Sequence, residues 1–343
     1  MSPLKVKSHV CICDNMGYTP PFTVSPRSIT LVAQIAERVA KLSVSGIFRS
    51  DPKLRRINRI RSIHSSLAIE GNTLSVDEVT DIIDGKRVLG DRREIQEVKN
   101  AFSAYDLLDR LNPYDSDDLL LAHGTMMKDI IDDAGSFRRT GVGVYSGTRL
   151  IHMAPPYDKV PELMDQLMDW ARTSEDHPLI KGCVFHYEFE FIHPFSDGNG
   201  RTGRLWHTLI LSRWNDAMAS VPIESVVRKH QMEYYDAIAR STAAGDSGAF
   251  IEFMLGSILE AVEGSSVQRM IDELSGINKT ERRLLHLIAD GEYTYASSAA
   301  VLMGVSTSTI ERTISSLKTK KLIARKGSNK VGSWTITISQ MTE

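Results

Sequence analysis

The chain has 343 residues, a net charge of −2 and an apolar content of 42%. This length allows two or more domains with well-filled cores, and the near-neutral charge argues against a protein that binds nucleic acid or membranes with its whole surface. The sequence contains no basic-then-apolar signal segment and no apolar run of membrane-spanning length, so it predicts a cytoplasmic protein that does not enter a membrane.

The three cysteines predict reduced thiols, not a structural site. An odd number in a long chain implies no disulfide framework. Cys11 and Cys13 are too closely spaced, and lack a second pair, for a zinc site.

Two helices are predicted in the N-terminal part of the chain. Residues 1–28 contain four prolines and are expected to form an extended arm that packs on the rest of the protein. Apolar residues at helical spacing predict the first helix over Ile29–Leu42. The second begins at Ser50-Asp51-Pro52, because proline is favoured in a first turn, and ends at Ile69-Glu70-Gly71-Asn72.

Glu70 is unusual because it is an acidic residue at the negative, C-terminal end of its own helix. A basic residue is favoured at that position. A solvated glutamate there costs only roughly a few tenths of a kcal/mol, so a purely structural interpretation stays open from the local sequence alone.

The chain between residues 75 and 192 is predicted to be mainly helical. Ser75 and Glu78 form a capping box for a helix that ends at Gly85. Apolar periodicity predicts further helices over residues 94–111, 116–131, 161–172 and 177–191. His123 is expected to be a packed core histidine.

A short hairpin interrupts these helices. Residues 135–156 are rich in β-branched side chains around Ser146-Gly147, a pattern typical of two strands joined by a tight turn.

The segment His193–Arg204, HPFSDGNGRTGR, combines the residue types that phosphate chemistry requires. His193 titrates near neutrality and can accept a proton from an attacking hydroxyl. Asp197 is an oxygen ligand suited to Mg²⁺ that is bound mainly by nucleotide phosphates. The Gly-Asn-Gly that follows can direct several backbone N–H groups at one anion, where a helix is predicted to begin near Gly200.

Arg201 and Arg204 lie one helical turn apart and can grip two neighbouring phosphates. The segment is not a P-loop, because no Gly-Lys-Ser/Thr follows the glycines. An EF-hand loop is also excluded, since its required glycine and glutamate would fall on Thr202 and Thr208. A structural glycine turn would need neither the histidine nor the two arginines.

Two predicted helical segments, 226–244 and 247–263, follow the helix of this loop and complete a helical region. A connecting segment begins at Gly264-Ser265-Ser266, with a helix extending through Leu274.

The C-terminal residues differ in charge from the rest of the chain. Residues 277–343 contain ten Lys and Arg against five Asp and Glu, a net charge of +5. Because the whole chain carries −2, the other residues together carry −7. This asymmetry predicts a separate C-terminal unit with a partner of its own.

The same residues fit a winged helix-turn-helix pattern. Helices are predicted from Thr280, over 297–303 and over 306–318, with a turn at Gly304 and a wing tip at 328–333. Binding to DNA, binding to protein and a merely solvated basic surface all stay open. Residues expected to face a DNA groove or its phosphates are Ser306, Thr307, Ser308, Thr309, Arg312, Lys318, Lys320, Lys321, Arg325, Lys326 and Lys330.

The segment 193–204 resembles the signature loop of the Fic family, His-Pro-Phe-x-Asp-Gly-Asn-Gly-Arg-x-Gly-Arg, at every fixed position. Residues 177–195, HPLIKGCVFHYEFEFIHPF, resemble the helix that delivers this loop, and the similarity extends over roughly residues 50–255. The resemblance implies a mainly α fold, a Fic helical core with a small β-hairpin flap followed by a winged helix-turn-helix domain. The expected domains are an N-terminal arm and helical region at 1–110, the Fic core at 111–263, a linker at 264–276 and the winged domain at 277–343.

The activity implied by this resemblance is Mg²⁺-dependent transfer of AMP from ATP to Ser, Thr or Tyr hydroxyls of a protein target or of the protein itself. His193 would be the base and Asp197 the metal ligand. The target would dock as an added strand on the flap, residues 135–156. The residues implied to bind the ATP phosphates are Gly198, Asn199, Gly200, Arg201, Gly203 and Arg204.

Tyr234 and Tyr235 fall where relatives of the family often line an adenine pocket. Neighbouring residues on a helix point about 100° apart, so we expect only one of the two to face the base. A role for both as core aromatic residues stays open.

Residues 66–72, SLAIEGN, resemble the Fic autoinhibitory motif Ser/Thr-x-x-x-Glu-Gly/Asn. The resemblance implies that Glu70, in a motif that begins at Ser66, pairs with Arg204 and blocks productive placement of the γ-phosphate. A bidentate arginine–carboxylate pair occupies the same fork that a phosphate needs.

Two alternatives to this activity remain. The protein could be a DNA-binding transcriptional regulator whose Fic domain senses nucleotide or modifies only itself. It could also bind its cosubstrate reversed, as a phosphotransferase, or use another nucleotide. A homodimer also stays open.

Overall fold

The computed structural model describes residues 18–44, 52–146, 149–289, 293, 295–326 and 333–337, and for 144–146 and 149–152 it describes the backbone alone. The parts of the predictions that concern Cys11, Cys13, Ser50-Asp51, Gly147, Lys330 and most of the wing tip therefore lie outside the described residues. Within them, no helix is both long and apolar enough to cross a membrane.

The described chain is mainly helical, as predicted, with two small antiparallel hairpins. The N-terminal helices are α1 Pro26–Val44, α2 Pro52–Ile69, α3 Val76–Ile83, α4 Arg92–Tyr105 and α5 Ser116–Met126. After the hairpin β1 Gly143–Ser146 and β2 Arg149–Met153 come α6 Val160–Thr173, α7 Pro178–Ile192, α8 Asn199–Trp214, α9 Ile223–Lys229, α10 Gln231–Ala244 and α11 Gly248–Glu273. The C-terminal elements are α12 Lys279–Ala289, α13 Ala296–Met303, α14 Thr307–Thr319, β3 Ile323–Lys326 and β4 Ser333–Ile336.

Helices α7 and α8 pack against each other at the centre of the larger hydrophobic core. Phe185 and Phe189 on α7, like Leu205 and Leu209 on α8, are fully buried. A helix that is apolar on all sides is stable only when other helices surround it, and α7 is buried along nearly its whole length. The short connection between these two helices is therefore held by rigid elements at both ends.

Local sequence signals account for several helix ends. The capping box of Ser75 and Glu78 is present, because the Ser75 hydroxyl accepts from the Glu78 N–H and the Glu78 carboxylate accepts from the Ser75 N–H. Pro52 and Pro178 occupy first helical positions, where a missing N–H costs nothing.

Three helix boundaries differ from the predictions. The predicted helix 94–111 ends at Tyr105. In the turns that follow, Arg213 donates hydrogen bonds to the carbonyls of Leu108 and Leu111. The predicted helix 116–131 ends at Met126, because the chain turns back to pack Gly135 against Gly124. The predicted segment 226–244 is two helices, interrupted at His230.

The hairpin predicted within residues 135–156 is present. Strands β1 and β2 pair antiparallel with Gly143 opposite Met153 and Ser146 opposite Arg149. The Ala154 N–H also donates to the Val142 carbonyl at 3.2 Å, which closes the base of the hairpin.

A second, smaller core forms from residues after 266. Three helices, α12 to α14, precede the β3–β4 hairpin, in which Arg325 lies opposite Trp334. Gly304 is in the left-handed region at φ 64° and ends α13, as the predicted turn requires. Residues 264–273, within the predicted linker, continue helix α11.

Candidate active site

His193 ends helix α7 in a left-handed conformation, at φ 51° and ψ 62°. Its N–H donates to the Phe189 carbonyl at 2.9 Å, and its Nδ1 lies 3.3 Å from the Glu190 carbonyl. Donation by Nδ1 to this carbonyl leaves the lone pair of the neutral ring on Nε2. Burial lowers the pKa of His193 below its ordinary value of 6.5, against the opposing effect of the Glu190 carboxylate. The ring is therefore neutral at pH 7 and able to accept a proton.

The next residues of the loop are fixed by packing. Phe195 is fully buried, and its ring stacks on His123 with the centroids 3.6 Å apart. His123 is itself fully buried, which confirms its predicted core position. Asn199 uses its side chain to bond both backbone groups of Phe195, at 2.9 and 2.8 Å. The Asn199 side chain thus fixes the backbone of the loop at Phe195.

Helix α8 begins directly after this loop with free N–H groups. Its first intrahelical bond runs from Thr202 N–H to the Gly198 carbonyl, so the N–H groups of residues 199–201 have no partner within the helix. Gly198 is at φ 83°, and a Cβ there would meet the Met127 sulfur at 2.5 Å. Gly203 faces elsewhere, because a Cβ there would meet Glu190 Oε1 and the Phe189 ring at 3.0 Å. Gly203 thus serves close packing of α8 on α7.

Asp197 and Arg201 form an ion-pair network with two residues of α4 that the sequence did not indicate. Arg201 donates from Nη2 to Asp197 Oδ1 at 2.9 Å and from Nη1 to Glu97 Oε1 at 3.0 Å. Arg93 donates to Asp197 Oδ2 at 3.1 Å. Arg93 and Glu97 lie about a hundred residues before Asp197 and Arg201 in the chain, so only the fold brings these side chains together.

The described residues contain no cluster of three His, Cys, Asp or Glu side chains that could hold a metal ion. Mg²⁺ in nucleotide sites is usually bound by one or two carboxylates plus phosphate oxygens and waters. Asp197, with 41% of its side chain exposed, fits the single-carboxylate form of such a site.

Arg204 contacts both predicted residues of the inhibitory motif. Its Nε donates to the Ser66 hydroxyl at 3.0 Å, and its Nη2 donates to the Ser66 carbonyl at 3.0 Å and to Glu70 Oε1 at 2.7 Å. Arg204 is almost completely buried, whereas about a third of the Glu70 side chain is exposed. Burial lowers the pKa of Arg204, but Glu70, Tyr234 and Glu190 together outweigh this effect and raise it above its ordinary value. A nucleotide phosphate would find the guanidinium already occupied.

Glu190 is a second buried carboxylate in the site, which the sequence analysis missed. Its oxygens lie 3.7 Å from His186 Nε2 and 3.9 Å from His193 Nδ1. Burial raises the pKa of Glu190, while His193 and Arg204 lower it. The only sequence signal was an acid at the third position before the histidine, on a helix that is otherwise apolar.

Comparison with known proteins identifies this arrangement. Residues 113–211 match the model of the Fic/DOC family. A solved Fic family protein from Desulfovibrio desulfuricans G20 is 40% identical, with a TM-score of 0.72, and the match covers 93% of this chain and 98% of that one. The chain belongs to the Fic family.

Curated relatives of this Fic protein are named for an activity. The protein adenylyltransferase Fic of Culex quinquefasciatus is 29% identical over 226 residues, 62% of this chain and 43% of that protein. The protein adenylyltransferase fic-1 of Caenorhabditis elegans is 29% identical over 274 residues, covering 73% and 52%. The chain thus spans about half the length of these relatives. A solved Fic-1 fragment from C. elegans, 22% identical with a TM-score of 0.58 and covering 70% of this chain and 72% of that one, shares the fold.

The two tyrosines expected near the base of the nucleotide differ in burial in this Fic protein. Tyr234 is 2% exposed, and its hydroxyl lies 3.1 Å from His186 Nε2 in the core. Tyr235 is only partly buried and packs edge-on against Tyr234, with the ring centroids 5.4 Å apart. Of the two, Tyr235 is therefore the candidate for contact with a base.

The C-terminal residues predicted to contact DNA divide into two groups. Thr307, Arg312 and Lys318 are exposed on α14. Lys320, in contrast, donates to both oxygens of the buried Glu281, at 2.7 and 2.8 Å, so its ammonium stabilises the C-terminal core. Contact between Lys320 and a phosphate stays a prediction, and it would require the ammonium to leave Glu281.

Proposed function

We propose that this Fic protein transfers AMP from ATP to a hydroxyl group of a protein. The observation that carries the proposal is a largely buried, neutral His193, separated by five residues from the N-terminus of helix α8. The names of the curated relatives, protein adenylyltransferase Fic, support it independently.

The N-terminus of α8 is the binding site for the ATP phosphates in this proposal. The free N–H groups of residues 199–201 and the positive end of the helix dipole favour an anion there. Arg201 and Arg204 bind the β- and γ-phosphates, and each already holds a carboxylate that the phosphates replace. Asp197 would hold Mg²⁺, which would supply positive charge that offsets the charge of the departing pyrophosphate.

His193 acts on the acceptor. Its Nε2 takes the proton of a Ser, Thr or Tyr hydroxyl while the hydroxyl oxygen attacks the α-phosphorus. A new P–O bond to the acceptor forms as the bond to the bridging oxygen breaks, and pyrophosphate leaves with the electron pair. The N–H groups of the loop bind the negative charge that develops on the α-phosphate.

The acceptor segment docks on the hairpin of residues 135–156. A two-stranded sheet has backbone N–H and C=O groups free on its outer edges, and an extended segment can add there as a third strand. Such pairing depends on backbone groups, so it places a hydroxyl near His193 with little demand on the surrounding sequence.

The proposal is tested by label transfer from ATP that carries its label at the α- or the γ-phosphate, with Mg²⁺ and with or without cell lysate. Covalent α-label supports AMP transfer. Covalent γ-label alone would show that the nucleotide binds reversed, as in a phosphotransferase, and no label with several nucleotides would favour the regulator alternative.

A second proposed function, DNA binding by residues 277–337, has one specific observation in its favour. Lys318 on α14 and Arg325 on β3 lie 5.9 and 5.4 Å from the centre of the Trp334 ring, which groups two cations where helix and hairpin meet. A pair of cations of this kind can contact phosphates, and Arg312 is a further exposed cation on α14.

We expect the full chain to retard a DNA fragment from its own promoter in an electrophoretic assay, with affinity that falls as salt increases. Lys318→Ala should weaken binding and lower the slope of log K against log salt by about one. The matched control is Lys41→Ala on α1, which removes an exposed lysine outside the proposed DNA-binding residues. Absence of any shift at low salt would contradict the second function and leave AMP transfer unaffected.

A further inference from the structure

Arg138 is a buried cation whose bonding partners are all backbone carbonyls. The residue is 2% exposed. Its guanidinium donates to His193 at 2.7 Å, Thr140 at 2.8 Å, Pro155 at 2.6 Å and Ile192 at 3.3 Å. A buried charge is tolerated only when it is paired or well bonded, so the four carbonyls together are what make this position stable.

These carbonyls come from two parts of the protein with separate roles. Ile192 is the last residue of helix α7, and His193 is the proposed base. Thr140 precedes strand β1, and Pro155 follows strand β2, so one guanidinium holds both ends of the hairpin. The backbone adds a fifth link, because the Arg138 N–H donates to the Pro194 carbonyl at 2.9 Å.

His193 needs such support because its backbone is in the left-handed region, at φ 51°. A residue with a Cβ is disfavoured in this conformation, so surrounding contacts must hold it there. The bond from Arg138 Nε to the His193 carbonyl fixes the orientation of the peptide that follows the histidine.

We propose that Arg138 is a positioning residue that fastens the hairpin on which the acceptor docks to the backbone of His193. The proposal rests on the proposed AMP transfer and names the link between its docking surface and its base. A strand that adds to the hairpin is thereby held at a fixed distance from the imidazole. Arg138 itself touches neither the nucleotide nor the acceptor.

Arg138 also acts on His193 through its charge. The groups that influence the imidazole are Glu190 on α7, Glu70 after α2 and Arg138 before β1. The two carboxylates raise the pKa of His193, whereas Arg138 lowers it and so favours the neutral base. Removal of this cation should raise that pKa, and the acidic limb of the pH–rate profile should move to higher pH.

The test uses the full chain carrying Glu70→Gly, with Arg138→Lys or Arg138→Met added. The matched controls are Arg139→Lys and Arg139→Met, because the neighbouring arginine is exposed. The measurements are self-labelling from α-labelled ATP, affinity for a non-hydrolysable ATP analogue, the His193 pKa by NMR, and amide exchange at His193 and Ala154.

Arg138→Lys keeps the charge but loses the fork that reaches four carbonyls. We expect label transfer at least about tenfold slower, faster exchange at both amides, and nucleotide affinity within about twofold of the parent. Arg138→Met should in addition raise the His193 pKa, because it removes a nearby positive charge. The Arg139 variants should match the parent in every measurement.

Equal transfer and equal amide exchange in Arg138→Lys and Arg139→Lys would overturn the proposal. A parallel loss of nucleotide affinity would also overturn it, since the effect would then be general unfolding. If the parent itself transfers no label, the proposed function fails, and the exchange and titration results still decide whether Arg138 fastens the hairpin to His193.

Discussion

Replacement of His193 by alanine is expected to lower the rate of AMP transfer by about two to four orders of magnitude. The imidazole is the group in the site that is both neutral at pH 7 and separated by five residues from the N-terminus of α8. Without it, the acceptor hydroxyl must lose its proton to water while it attacks. The measurement is single-turnover transfer of α-label in the Glu70→Gly background, where the signal is largest.

A control separates loss of the base from loss of structure. His286→Ala removes a histidine of the C-terminal core that pairs with Asp272, and it should leave transfer unchanged. His193→Ala should still bind the ATP analogue, because the phosphates are held by α8 and its arginines. Retention of a tenth or more of the parent rate would exclude His193 as the base.

The pH dependence of the transfer rate is a second test of His193. Burial lowers the pKa of His193 below 6.5, so the ring stays neutral to lower pH than a solvated histidine. The transfer rate should fall only as the pH drops through this lowered pKa, because the imidazolium that forms cannot accept a proton. An acidic limb centred above 6.5 would contradict the observed burial.

The catalytic loop was predictable because its functional groups are close together in sequence. His193, Asp197 and Arg204 lie within twelve residues, on a helix end and the first turns of the next helix. The residues that support them were not predictable in the same way. Arg93 and Glu97 reach the loop from α4, and Arg138 reaches it from the hairpin, through contacts that exist only after the chain has folded.

The fold class followed from apolar periodicity, but several helix ends did not. Leu108 and Leu111 continue a helical pattern, yet their carbonyls accept from Arg213, more than a hundred residues later. Ile130 and Ile131 likewise continue a pattern beyond the end of α5, where packing of Gly135 on Gly124 turns the chain. In both places a tertiary contact outweighs local propensity.

Loss of the Glu70 carboxylate is expected to raise AMP transfer by roughly tenfold to a hundredfold, the range typical of a coupling between two sites. In the structure, Glu70 Oε1 lies 2.7 Å from Arg204 Nη2, so the guanidinium proposed to hold the γ-phosphate is occupied by an internal anion. Glu70→Gly frees it. The measurement is the initial rate of α-label transfer at saturating ATP, with Glu70→Gly/His193→Ala as the background control.

Two conservative variants separate the effect of the Glu70 charge from the effect of its side-chain length. Glu70→Gln keeps an oxygen that can accept from Arg204 but loses the charge, and Glu70→Asp keeps the charge on a side chain one methylene shorter. If charge-assisted pairing restrains Arg204, both variants should transfer faster than wild type and more slowly than Glu70→Gly. No increase with Glu70→Gly would remove the inhibitory role from this residue.

The change in ATP affinity in Glu70→Gly, compared with the change in transfer rate, then identifies how Glu70 inhibits the protein. Arg201 pairs with Glu97 and Asp197 and not with Glu70, so part of the proposed phosphate site lies outside the inhibitory contact. ATP should therefore bind to wild type, but with its γ-phosphate displaced from Arg204 and its α-phosphate out of line with the acceptor. A gain in transfer rate that exceeds the gain in ATP affinity would support misplacement of bound nucleotide. A gain in ATP affinity with no gain in the rate at saturating ATP would instead show that Glu70 simply competes with ATP for the site.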